Sequence, residues 1–244
     1  AHDEAPRMGL PPARPRRGWI FSRRVPLLRF STSLPPLAPT RRGPYGVPRA
    51  VLADLQGPKL RIGDVEEGAV INEGDTLTFT TNKVSGTAEL VYMNYQQFPQ
   101  DVNNGEHILL DDGKLMCEVI ETNKKDTVVT KVIQGGPLKS KKGVNLPNTK
   151  VSLPCLTKKD LEDVIVAMEE GVEWIGLSFV RDADDVNELR KIINDFGSFA
   201  KIVSKIEKPE AVVDIDKIID ATDAIMVARG DLGVEIPYSS VPMV

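Results

Sequence analysis

From residue 151 onward, short apolar runs alternate with amphipathic segments, and this alternation restricts the fold more than any other feature of the chain. Residues 174–179, 200–206 and 223–228 are apolar runs of strand length. Between them lie helical patterns. Thr157 and Asp160 form a helix-capping pair, Leu161, Val164, Ile165 and Met168 then recur at helical spacing, and Gly171 closes the segment. Asp182 opens a second helix, with Val186, Leu189, Ile193 and Phe196 on one face and Gly197 at its end. Pro209 suits the first turn of a third helix, whose buried face is Val212, Ile215, Ile218 and Ile219. Strands buried on both faces and separated by such helices predict a parallel sheet. Residues 50–55 read as one more strand of this kind, ended sharply by Gln56-Gly57-Pro58.

Residues 64–150 have a different texture. Polar and apolar residues alternate over 75–80. The runs 107–110 and 115–120 flank the acidic turn Asp111-Asp112-Gly113-Lys114, and 127–132 follows a polar turn at 123–126. Short strands with closely spaced turns predict a small β barrel or sandwich, inserted between the strand at 50–55 and the α/β part.

The first 49 residues are different again. They hold ten arginines, no lysines and two acids, and residues 1–47 contain nine of the 18 prolines. Proline fixes φ and removes a backbone donor, so neither a helix nor a sheet ladder is expected over 1–47, and the segment reads as disordered. Its Arg-rich, acid-poor composition also permits organelle targeting, although the chain otherwise reads as cytoplasmic. The remainder carries a net charge of about -12, which argues against a polyanion-binding surface and hence against nucleic acid. No apolar run reaches the roughly 18 residues of a membrane span. Cys117 and Cys155, 38 residues apart, form neither a metal motif nor a disulfide framework and read as buried thiols.

In a β/α barrel the reactive groups sit at the C-terminal ends of the strands. Here those ends carry Asp54, Ser178-Phe179, Lys205-Ile206-Glu207 and Arg229-Gly230-Asp231. Lys205 and Glu207, two apart on one strand, face the same way. Glu207 and Asp231 come from neighbouring strands, and two converging carboxylates suit a hard divalent cation. A lysine beside that cation suits an enolate or a transferring phosphoryl group. A solvated Lys205–Glu207 ion pair without function is the plain alternative.

Five segments, in order, resemble pyruvate kinase motifs. They are Ala53-Asp54-Leu55-Gln56-Gly57-Pro58-Lys59-Leu60-Arg61, Lys141-Lys142-Gly143-Val144-Asn145-Leu146-Pro147, Leu177-Ser178-Phe179-Val180-Arg181, Ile202-Val203-Ser204-Lys205-Ile206-Glu207, and the run from Ile225 through Arg229-Gly230-Asp231 to Pro237. The resemblance covers about 48–244 and implies a partial TIM (β/α)8 barrel with an inserted all-β lid. Residues 48–63 would be barrel strand three, 64–147 the lid, and 148–244 strands four to six. It implies phosphoryl transfer between phosphoenolpyruvate and ADP, giving pyruvate and ATP. By motif, Lys205 is similar to the catalytic lysine, and Glu207 and Asp231 to the ligands of Mg²⁺ or Mn²⁺. Lys205, Gly230 and Asp231 would meet the substrate, and Arg61 and Lys142 the nucleotide phosphates. Asp111 or Asp112 would lie on the cleft side of the lid. Asp54 and Leu55 match the region of a monovalent cation.

The chain also departs from the family pattern. The Cys-Thr-x-Gly-Pro and Arg-x-Asn-x-Ser motifs of the first two strands are not found in residues 1–49, and the sequence stops at Val244, soon after strand six. A part-barrel with open parallel edges is expected to be marginally stable and to show no turnover by itself. Two other readings therefore stand beside the kinase: a truncated, inactive family member, and a Mg²⁺-dependent lyase of enolate type, against which the β-rich insert argues. Lys59 stands where the family commonly has glutamate, so its ammonium is expected to replace K⁺. The family also implies a homotetramer for a full-length protein.

Overall fold

The parallel sheet expected from the alternation is present in the computed structural model, which describes residues 19–20 and 50–244. Its strands are β1 (Trp19–Ile20), β2 (Ala50–Asp54), β11 (Trp174–Leu177), β12 (Lys201–Ile206) and β13 (Ala224–Val227), adjacent in that order and all parallel. Ile175 lies opposite Ala53 on one side and Ile202 on the other. Helices α2 (Lys158–Glu169), α3 (Ala183–Phe196), α4 (Pro209–Val213), α5 (Ile215–Ala221) and α6 (Arg229–Glu235) follow or separate these strands, and a 3₁₀ segment spans Tyr238–Met243.

The insertion begins after β2. A six-stranded sheet runs β10-β6-β7-β8-β4-β5, built from β4 (Thr76–Thr80), β5 (Leu90–Tyr92), β6 (His107–Leu110), β7 (Leu115–Thr122), β8 (Thr127–Gln134) and β10 (Val144–Asn145). A short pair joins β3 (Val70–Ile71) to β9 (Gly136–Pro137), and α1 is a single turn at Phe98–Asp101. The hairpin read at 111–114 joins β6 to β7. The β4–β5 pair is parallel, which the turn pattern did not suggest.

Each part has its own apolar core. In the insertion, Leu77, Phe79, Val91, Met93, Ile108 and Val128 are fully buried, and Phe79 meets Phe98 edge-on at 5.7 Å. That contact adds about 1 kcal/mol to the burial of the rings. In the α/β part, Val164, Ile175, Val186, Leu189, Ile202 and Ile218 close the second cluster. Both cysteines are buried and unpaired, and burial raises both thiols, Cys117 to about 11.

The helix signals held where capping chemistry wrote them. Thr157 and Asp160 form the reciprocal capping box of α2, Asp182 accepts from the amides of Asp184 and Asp185, and Gly197 ends α3 at φ 77°. Two expectations about the helices need correction. The third helix is two, because Asp214 leaves the helical conformation and its carboxylate accepts from the Ala183 amide and Lys217. Leu161, Ile165, Phe196 and Ile219 are exposed; the buried stripe of α2 is Asp160, Val164, Ala167 and Met168. Periodicity locates a face but not what covers it.

Residues 1–18 and 21–49 lie outside the described residues, and with them the targeting reading. Within that stretch, Trp19 and Ile20 do form a ladder, opposite Ala50 and Val51, contrary to the expectation for 1–47. The edge of β2 away from β11 offers backbone groups that this short pairing satisfies. Among the described residues no helix is long and apolar enough to cross a membrane.

Candidate active site

The strand ends converge as a parallel sheet requires. The Lys205 ammonium, at the end of β12, lies 2.8 Å from Ser178 Oγ, 3.1 Å from Glu207 Oε1 and 3.2 Å from Asp54 Oδ1. These partners come from the ends of β2, β11 and β12. Ser178 Oγ also donates to the Leu55 carbonyl at 2.7 Å, so one hydroxyl links two neighbouring strand ends. Burial disfavours the Lys205 cation, but Glu207 and Asp54 outweigh it, and the net direction is upward. The ammonium therefore stays charged through neutral pH.

Glu207 is buried, with its side chain 2% exposed. Its second oxygen accepts the Phe179 amide at 2.9 Å. Burial pushes its carboxyl up, Lys205 and the Phe179 amide oppose this, and the Asp231 charge adds to the rise. Asp231 stands exposed in the first turn of α6, next to Gly230. Burial and the nearby Asp231 charge both raise the cost of ionising Glu207, and a carboxylate at the end of β12 beside one in the first turn of α6 suits a divalent cation. Among the described residues no group of three or more His, Cys, Asp or Glu converges, so a cation here would draw its other ligands from substrate oxygens and water.

The remaining sequence-derived residues gather at the chain crossings between sheet and insertion. Arg61 donates through Nη1 to the Lys141 carbonyl at 2.7 Å. Lys142 pairs with Asp111 at 2.8 Å, which also binds Lys114 and is held below the usual carboxylate range, Lys142 contributing most. Asp112 lines the cleft together with Lys59, Arg181, Lys208, Asp231 and Glu235. Asp111 and Asp112 adopt φ 51° and 59°, a strained turn that presents this edge to the α/β part. Lys59 is exposed, and the Asp54 carboxylate pairs with Lys205 instead.

Several contributors were not singled out from sequence. Glu235 is buried, accepts from Lys208 and from Asn145 of β10 at 2.8 Å each on Oε1, and leaves Oε2 without a hydrogen bond. Asp160, recognised as a cap, also accepts the amides of Gln56 and Gly57 at 3.0 and 3.1 Å. That second role fixes the first crossing and has no local signal, because its partners lie more than a hundred residues away. Phe179 holds Glu207 by its backbone from φ 58°, which no side-chain pattern encodes.

Residues 41–244 match the family model described as pyruvate kinase, barrel domain. The chain belongs to the pyruvate kinase family. The chain is 44% identical over 197 residues to the pyruvate kinase of Corynebacterium glutamicum, covering 80% of this chain and 41% of that one. It is 43% identical over 198 residues to that of Geobacillus stearothermophilus, covering 80% and 34%. A pyruvate kinase of Mycobacterium tuberculosis is 42% identical over 195 residues, with 80% and 41% covered. The chain thus spans about two fifths or less of these relatives' lengths. Family membership accounts for the parallel part-barrel and for the β-rich insertion between its strands.

Proposed function

We propose that this chain supplies the phosphoryl-transfer face of a pyruvate kinase, acting between phosphoenolpyruvate and ADP to give pyruvate and ATP. The observation that carries the reading is Lys205, a half-buried ammonium fixed by Ser178, Glu207 and Asp54 at the mouth of the parallel sheet. Such a preorganised charge favours an enolate or a transferring phosphoryl group, since it needs no reorientation as negative charge develops. Glu207 and Asp231 would hold Mg²⁺ or Mn²⁺, which when bound neutralises charge on the phosphoryl and enolate oxygens. Gly230 and Asp231 would meet the substrate carboxylate.

Arg61 and Lys142 flank the crossings and would meet the nucleotide phosphates; Lys142 would then exchange Asp111 for a phosphate oxygen. Residues 64–147 act as a lid over 48–63 and 148–244, and its closure excludes water from the cleft. Lys59 lines that cleft as a cation. On this reading its ammonium serves in place of K⁺, so KCl would not activate over an inert salt at equal ionic strength.

The test is pyruvate formation from phosphoenolpyruvate, ADP and Mg²⁺ by the whole protein that carries this chain, read through coupled NADH oxidation. Lys205→Met should lower the rate by about a thousandfold or more. Wild-type protein without such a reaction, or a Lys205→Met variant at full rate, would refute the reading.

A further inference from the structure

The turn at 178–181, between β11 and α3, touches the reactive groups at one end and, at the other, the segment 151–153 that follows the insertion. At one end Ser178 Oγ accepts from Lys205 at 2.8 Å, and the Phe179 amide donates to Glu207 at 2.9 Å. At the other, Arg181 Nη1 donates to the carbonyls of Val151 at 3.2 Å and Leu153 at 2.9 Å. Asp185 holds the same guanidinium, accepting from Nη2 at 3.1 Å and Nε at 3.3 Å, and accepts the Arg181 amide at 2.9 Å.

Ser152 lies between those two carbonyls, yet the insertion holds it. Its amide donates to Asp101 Oδ2 at 2.8 Å and to the Tyr95 hydroxyl at 3.0 Å, and its Oγ donates to Asp101 Oδ1 at 2.7 Å. Tyr95 in turn donates to Asp101. One tripeptide, 151–153, is thus gripped by the insertion at its centre and by Arg181 at its flanks.

We propose that Arg181 is a positioning residue that couples the attitude of the insertion to the placement of Lys205 and Glu207 through the 178–181 turn. This rests on the functional reading above. The turn transmits because it has little slack. Phe179 sits at φ 58°, where a bulky residue has few alternative conformations. Its ring lies against Gly57, where an added Cβ would approach Cδ2 to 2.6 Å. Consecutive Cα atoms are a fixed ~3.8 Å apart, so a shift at Arg181 reaches Phe179 over two virtual bonds. The task also selects arginine: two carbonyls and one carboxylate need the planar fork, which a lysine lacks.

The experiment compares backbone amide exchange in the wild-type chain and in Arg181→Gln, Arg181→Lys and Asp101→Asn. Arg181→Gln should speed exchange of the Phe179 amide by about tenfold, because the turn then opens independently. Arg181→Lys should fall between, and serves if the glutamine variant does not fold. Asp101→Asn should speed exchange at Ser152 while leaving Phe179 within about twofold of wild type. Phe179 exchange unchanged in both Arg181 variants, or accelerated equally by Asp101→Asn, overturns the proposal. Mn²⁺ titration of the same proteins separates this from the functional reading. Wild-type chain that binds no Mn²⁺ counts against the functional reading, whereas weaker binding in Arg181→Gln alone, at a site Arg181 does not touch, supports the coupling.

Discussion

Replacing Asp160 by alanine should cost far more than the loss of a helix cap. The carboxylate is fully buried and accepts four hydrogen bonds. The Thr157 amide at 2.9 Å and its hydroxyl at 2.5 Å belong to the cap, and a cap contributes about 1 kcal/mol. The amides of Gln56 and Gly57, at 3.0 and 3.1 Å, donate to a charged acceptor, and each such bond contributes about 1.5–3 kcal/mol. Their loss also leaves the buried Gly57 amide without its acceptor. Allowing for relaxation, Asp160→Ala should destabilise by about 3–5 kcal/mol. The assay is urea unfolding, with Thr157→Ala, expected at about 1 kcal/mol, as the reference that removes the cap while sparing Gln56 and Gly57. A value for Asp160→Ala within about 0.5 kcal/mol of that reference would refute the second role.

Further outcomes follow from the same geometry. Glu207 binds protons more tightly in the folded state, so its contribution to stability is present below its unfolded value near 4.5 and lost as pH rises through its raised folded value. Glu207→Gln removes that loss, so thermal unfolding of the variant, measured against wild type, should improve as pH rises above about 4.5; a difference that shrinks as pH rises contradicts the assignment. Gly57→Ala places a Cβ against the Phe179 ring at φ 65°, and urea unfolding should show a loss of about 1–3 kcal/mol. In the whole protein, Lys59→Glu should create a K⁺ dependence that wild type lacks, read as the ratio of rates in KCl and an inert salt; equal ratios would remove Lys59 from that role.

What the sequence made legible was local or periodic. The β/α alternation, the capping box at Thr157 and Asp160, the αL glycine at 197 and the hairpin at 111–114 each arise from neighbouring residues, and each is present. The i, i+2 relation of Lys205 and Glu207 likewise became an ion pair of 3.1 Å. What stayed hidden depends on distant partners. Ile165 and Val164 look alike in sequence, yet one is exposed and the other buried, because packing against the sheet decides. The break at Asp214 depends on the Ala183 amide, 31 residues earlier. The short parallel pairing of β4 with β5 needs the chain to cross back over residues 81–89, a connection with no simple sequence signature. The grip of Arg181 on Val151 and Leu153 uses backbone carbonyls, which every residue has.

Glu207 and Asp231 are proposed to share one divalent ion beside Lys205. Mn²⁺ titration followed by electron paramagnetic resonance tests it on the wild-type chain, Glu207→Gln and Asp231→Asn. One site is expected in wild type, with affinity lowered by about tenfold or more in each variant. Mn²⁺ binding that is the same in all three proteins would contradict it.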